Sequence, residues 1–142
     1  MFPVFDQPDI KAEWTCTAII PSAWDAVSNE FIDSNSEVRS LVAITSIKDA
    51  SELFSQDYAS FGELKVLAFK KSYKISSYLY CLCAGPYGYH ENNVAGQPPM
   101  RIYARKSIIG ECNFEEMFKV TQAGIKFYSV FFGAEYPFNK YD

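Results

Sequence analysis

The chain has 142 residues, 49% of them hydrophobic, 21% charged and 17% aromatic, and 13 Lys plus Arg against 17 Asp plus Glu leave a net charge of −4. This balance excludes a disordered segment, which needs more charge and fewer aromatics, and the length suits one ordinary domain. There is no basic surplus to bind nucleic acid or anionic lipid, and no run approaches the ~18 apolar residues that would cross a bilayer.

Trp14 to Ile20 alternates, with Trp14, Cys16, Ala18 and Ile20 on one face and Thr15 and Thr17 on the other. This pattern predicts a half-buried strand, ended by Pro21-Ser22. Ser28 to Glu37 is polar and reads as loop, and Leu41 to Thr45 is a short apolar run. Glu63 to Phe69 predicts another strand, with Leu64, Val66 and Ala68 facing one way. Tyr78 to Ala84 is apolar on both faces, which predicts a central buried strand, broken by Gly85-Pro86. Residues 91–99, Glu-Asn-Asn-Val-Ala-Gly-Gln-Pro-Pro, form the most loop-like stretch, and a domain boundary is expected there. Met100 to Ala104 reads as one more short strand. Short strands separated by turn signals predict an antiparallel β domain.

The periodicity then changes. Phe114, Phe118, Thr121, Ile125, Tyr128 and Phe132 recur at spacings of four and three, the stripe of an amphipathic helix. Asn113 is placed to cap its start, with Glu116 three residues on. Gly133 stands where a left-handed stop is expected. A helix with so wide a stripe needs a large partner surface.

Four cysteines are present, Cys16, Cys81, Cys83 and Cys112. On a straight strand, side chains two residues apart run parallel about 6–7 Å from each other, which makes Cys81 and Cys83 a poor disulfide pair. All four are expected to be buried free thiols. The N-terminal Met-Phe-Pro-Val-Phe-Asp lacks a basic region followed by an apolar stretch and does not read as a signal peptide. Together with the free thiols, this points to a cytoplasmic location.

His90-Glu91 invites a zinc reading. That chemistry needs a second His four residues on along one helical face, with the Glu between them as general base. Here that position is Val94, His90 is the single His of the chain, and the flanking Gly88 and Gly96 suggest a surface loop. With one His, no His-based hydrolytic dyad can be assembled either. Asp6 and Asp9 flank Gln7-Pro8, where short carboxylates serve a turn by bonding local backbone amides. Tyr87 and Tyr89 are read as loop residues that could line a groove. No residue of the chain is therefore assigned a catalytic or metal-binding role.

Five blocks carry a family resemblance. Phe2-Pro-Val-Phe-Asp-Gln-Pro-Asp-Ile-Lys-Ala12 resembles the Phe-Pro-Cys-Phe-Asp-Gln-Pro-Asp-hydrophobic-Lys-Ala signature of the aminopeptidase N family, with Val4 where many members have Cys. Its signature residues here are Phe5, Asp6, Gln7, Pro8, Asp9, Lys11 and Ala12. Pro21-Ser-Ala-Trp24, followed by Ser28 and Asn29, is similar to the family's Pro-x-x-Trp…Ser-Asn stretch. Ile75-Ser-Ser-Tyr78-Leu79, ending at Gly85, resembles its Met-Ser-Thr-Tyr-Leu…Gly strand. Pro99-Met-Arg-Ile-Tyr-Ala-Arg105 resembles the strand leading into the catalytic domain. Phe131-Phe-Gly133-x-x-Tyr136-Pro137, followed by Lys140-Tyr-Asp142, is similar to the stretch before the family's exopeptidase loop.

The family comprises gluzincin-type zinc aminopeptidases, including puromycin-sensitive aminopeptidase. The resemblance implies a mainly β fold: residues 1–99 as the later part of a saddle-like N-terminal domain, and 100–142 as the entry strand and first helix of a thermolysin-like catalytic domain. It implies a full-length protein that uses zinc to remove N-terminal residues from peptides. The Gly-x-Met-Glu-Asn loop and the His-Glu-x-x-His motif of that family are not in these residues. The segment is expected to frame the cleft and pack against the rest of the catalytic domain, with no zinc of its own and no nucleic-acid or membrane partner. The competing reading is a non-catalytic β module, used for protein interaction, from a relative that lost the metal site.

Overall fold

The computed structural model describes residues 3–34 and 63–142. The run Leu41 to Thr45 lies outside them. The described residues are mainly small antiparallel sheets with one C-terminal helix, and they form two compact units, 1–85 and 86–142. A domain boundary is expected within residues 91–99, and the compact units part earlier, at Gly85-Pro86, because the segments on either side of the 93–99 loop pair with each other.

In the first unit, β1 (Lys11–Ala12) pairs with β5 (Ile75–Ser76), and β2 (Thr17–Pro21) with β4 (Leu64–Ala68). The third pair is β3 (Asp25–Ser28) with β6 (Leu82–Gly85), and all three are antiparallel. The alternation read from Trp14 onward holds: Ala18 and Ile20 are buried and join Ala26 and Phe69 in a core flanked by Cys16, Leu67 and Ala84. The paired strand starts at Thr17, later than predicted. The Trp14 backbone N–H donates to the Ser72 hydroxyl at 2.9 Å, and the Trp14 ring stacks on Tyr80 at 4.7 Å.

On β4, Val66 is buried on the expected Leu64, Val66 and Ala68 face, while Leu67, opposite Ala18, packs against the Ala18 cluster. β3, which no sequence pattern singled out, overlaps the expected polar stretch only at Ser28, and its Ala26 and Ser28 face inward. The predicted central strand from Tyr78 to Ala84 is not central. Ser77–Leu79 form a 3-10 turn, Tyr78 and Leu79 are exposed, and strand pairing starts only at Leu82. An apolar run has no intrinsic strand register; here the chain turns before the ladder forms.

The second unit is a hairpin with a helix laid on it. β7 (Tyr87–Asn92) pairs with β8 (Met100–Arg105), from Tyr87 opposite Arg105 to Asn92 opposite Met100. Residues 91 and 92 thus belong to a strand, and the loop occupies 93–99, with Gly96 at φ 77°. The polar composition of β7 concealed it. A Cβ at Gly88 would come within 2.7 Å of the Ile109 side-chain tip, which would have to shift.

Helix α1 (Phe114–Phe132) starts and ends as the sequence predicts. Asn113 accepts from the Glu116 N–H at 3.2 Å, and Gly133 takes the left-handed conformation at φ 65°. Phe114 and Phe118 are buried with Met100, the most enclosed side chain at 1% exposure, and Ile125 packs against them. Beyond Ile125 the stripe is uncovered: Tyr128 and Phe132 are exposed, as are Phe127, Val130 and Phe131.

Candidate functional site

The signature residues described here form no cluster of reactive groups; the side chains of Ser28, Asn29 and Tyr136 brace backbone. At the N-terminal turn the Ile10 N–H bonds the Gln7 carbonyl at 3.2 Å. The Ser76 hydroxyl donates to the Pro8 carbonyl at 2.8 Å, while Lys11 and Ala12 pair with Ser76 and Ile75. Phe5, Asp6 and Asp9 are exposed on this segment. The Trp24 N–H closes a turn on the Pro21 carbonyl at 2.9 Å.

Ser28 and Asn29 converge on one stretch. The Ser28 hydroxyl donates to the Cys81 carbonyl at 2.7 Å. The Asn29 side chain donates to the Leu79 carbonyl at 2.9 Å and accepts the Cys81 N–H at 2.8 Å. Side chains therefore satisfy backbone that the expected central strand would have satisfied by a ladder. Gly85 is buried opposite Asp25. At the C-terminal end, the Tyr136 hydroxyl donates to the Lys140 carbonyl at 3.1 Å, Pro137 is exposed, and buried Lys140 is ion-paired with Asp142.

The hairpin carries the densest cluster of polar and aromatic side chains. Glu91 accepts from Arg101 at 2.5 Å and from Asn93 at 2.8 Å. The Arg101 guanidinium lies 4.8 Å over the Tyr89 ring, and Tyr89 sits 5.3 Å from Tyr103. The Arg101 bond, then that from Asn93, holds the Glu91 carboxyl below its usual range. Burial works against the Arg101 charge, but Glu91 and Tyr103 outweigh it and raise its pKa. Burial likewise pushes the Tyr103 hydroxyl up. The sequence signal for this cluster was the alternation of Tyr89 with Glu91 on one arm and of Arg101 with Tyr103 on the other. The loop reading of residues 87–91 concealed it.

His90 is on β7, opposite Ile102, with its ring stacked on Phe114 at 4.1 Å. This corrects the loop part of the reading, while His90 is on the surface as expected. Strand positions four apart lie about 13 Å from each other, so β7 could not supply a helical ligand pair. Among the described residues no three or more His, Cys, Asp or Glu come together as a metal group. The described residues do not fit a catalytic zinc, which takes three protein ligands and an open position. No helix among the described residues is long and apolar enough to cross a membrane. All four cysteines are free, but Cys81 and Cys83 are exposed and Cys16 and Cys112 half-buried, which corrects the expectation that all four are buried.

No family model matches the chain. Curated proteins do. The chain is 29% identical to an aminopeptidase N of Streptomyces lividans, over 100% of its own length and 14% of that protein. It is 28% identical to aminopeptidase Ey of Gallus gallus, over 99% of the chain and 12% of that protein. It is 27% identical to aminopeptidase N of Homo sapiens, over 99% of the chain and 13% of that protein.

The chain is similar to these aminopeptidases along its whole length. It spans between 12% and 14% of the length of those relatives. The similarity runs the length of the chain, through the bracing residues and the hairpin alike.

Proposed function

We propose that these residues are a framing segment of an aminopeptidase that removes N-terminal residues from peptides. In this reading residues 1–99 belong to a saddle-like β domain, and 100–142 are the entry strand and first helix of a thermolysin-like catalytic domain. The signature residues from Phe5 to Ala12, with Trp24, Ser28 and Asn29, hold the β domain in shape. The observation that carries the reading is the similarity to aminopeptidases along the whole chain. The exposed aromatic half of α1 supports it, since such a face is buried in a catalytic domain by neighbouring elements.

When bound in the whole enzyme, zinc would polarise the scissile carbonyl and activate a water. None of the residues described here fits that role, so the segment's part is to shape the cleft and seat the domain. On its own the chain is expected to be inactive, and a cytoplasmic location is proposed from its free thiols. The test is to read the coding sequence flanking these 142 residues. In-frame Gly-x-Met-Glu-Asn and His-Glu-x-x-His motifs after Asp142 are expected. Degenerate motifs there, or a stop codon, would overturn this reading in favour of a non-catalytic interaction module.

A further inference from the structure

We propose that Cys81 and Cys83 are a reversible modification site, a dithiol that a low-molecular-weight disulfide such as oxidised glutathione converts to an intramolecular disulfide. The two sulfurs lie 3.7 Å apart, and both residues are exposed. Disulfide sulfurs lie ~2.0 Å apart, so closure requires about 1.7 Å of approach. Two positions apart on an extended chain, Cα atoms are separated by about 6.6 Å, inside the upper end of the span that a disulfide bridges. What decides the matter is whether the side chains run parallel or converge, and here they converge. The reason is local. Cys83 sits in β6 opposite Val27. Cys81 precedes that strand, and Ser28 and Asn29 hold its backbone by their side chains instead of a ladder. The pair thus straddles the point where the chain leaves the 3-10 turn and enters the sheet.

The other thiols are placed differently. Cys16 is half-buried and hydrogen-bonded to the Tyr80 hydroxyl. Cys112 is half-buried and donates to the Ile108 carbonyl at 3.5 Å.

The chemistry proceeds in two exchanges. The Cys83 thiolate attacks one sulfur of oxidised glutathione; that disulfide breaks and a glutathione thiolate leaves. Cys81 then loses its proton and attacks the Cys83 sulfur; the mixed disulfide breaks and the second glutathione thiolate leaves. The two protein thiols lose two electrons and two protons, and oxidised glutathione becomes two glutathione thiols. The thiolate is the nucleophile in each exchange, and burial, then the Cys83 sulfur, pushes the Cys81 thiol up, which disfavours Cys81 as the first attacker.

The test treats the reduced full chain with glutathione mixtures of graded oxidation, blocks remaining thiols by alkylation, and reads intact and peptide masses. The expected product has lost two thiols and two hydrogens, both mapped to the peptide containing Cys81 and Cys83, and reduced glutathione restores it. Cys81→Ser should stop at a stable glutathione adduct on Cys83. Cys16→Ser and Cys112→Ser should oxidise like the unaltered chain. Retention of all four thiols in the most oxidising mixture would overturn the proposal. So would a bridge to Cys16 or Cys112, or a glutathione adduct that persists on the unaltered chain.

Discussion

Asn29 and Cys81 are joined by a hydrogen bond from the Cys81 backbone N–H to the Asn29 side-chain oxygen at 2.8 Å. The same amide group donates to the Leu79 carbonyl at 2.9 Å, so one side chain clamps the backbone on both sides of Tyr80. Asn29→Ala removes both bonds. The expected loss is about 1 kcal/mol, because each bond is worth only a fraction of its gross strength where water can reach it. Asn29→Asp keeps the acceptor and loses the donor, and should cost less. Urea midpoints of the three chains check the order. An unchanged midpoint for Asn29→Ala would remove the clamp from the account.

The two halves of α1 should respond differently to truncation. Phe118 is buried against Met100 and Phe114, and Phe118→Ala should cost about 3–5 kcal/mol, the usual loss for a core aromatic. Phe131 is 67% exposed, and Phe131→Ala should change stability by less than about 0.5 kcal/mol. Comparable losses for both, read by denaturant unfolding, would mean that the C-terminal half of the helix is packed in solution.

The exposed face formed by Phe127, Val130, Phe131 and Phe132 should make the isolated chain bind hydrophobic dyes and self-associate. Replacing Val130 and Phe131 together with Glu should lower dye fluorescence and shift sedimentation towards the monomer. Unchanged dye binding in that variant would place the sticky surface elsewhere.

The Glu91–Arg101 pair gives an acid-dependent contribution. The folded Glu91 pKa is depressed from its ordinary 4.5, so the folded state favours the carboxylate. That stabilisation is fully present above the unfolded pKa and is lost as pH falls through the lower folded value. Glu91→Gln should flatten the acid limb of the stability profile, and salt should weaken the effect in the unaltered chain. An acid limb that is the same with and without Glu91 would show that the pair contributes nothing.

The sequence made legible what depends on period and local chemistry. The Ala18 and Ile20 alternation, the α1 stripe, the Asn113 cap and the Gly133 stop each rest on neighbours in the chain, and each is present. It concealed what depends on distant pairing. β7 is polar and contains a glycine, and it is a strand only because β8 returns alongside it. Tyr78 to Ala84 has strand composition, but Ser28 and Asn29 hold its backbone in a turn. The Arg101, Glu91 and Tyr89 cluster stayed hidden for the same reason, since its members meet across a hairpin that the loop reading removed. The resemblance agreed with the similarity to aminopeptidases, but could not say that Ser28, Asn29 and Tyr136 bond backbone through their side chains.

Zinc content together with hydrolysis of an aminoacyl reporter substrate, both on the purified 142-residue chain, tests most directly whether this segment carries chemistry of its own. His90 is stacked on Phe114, and no three ligand-type side chains meet among the described residues. Zinc well below one equivalent after dialysis and no turnover above background are expected. Stoichiometric zinc accompanied by release of the reporter would contradict this reading.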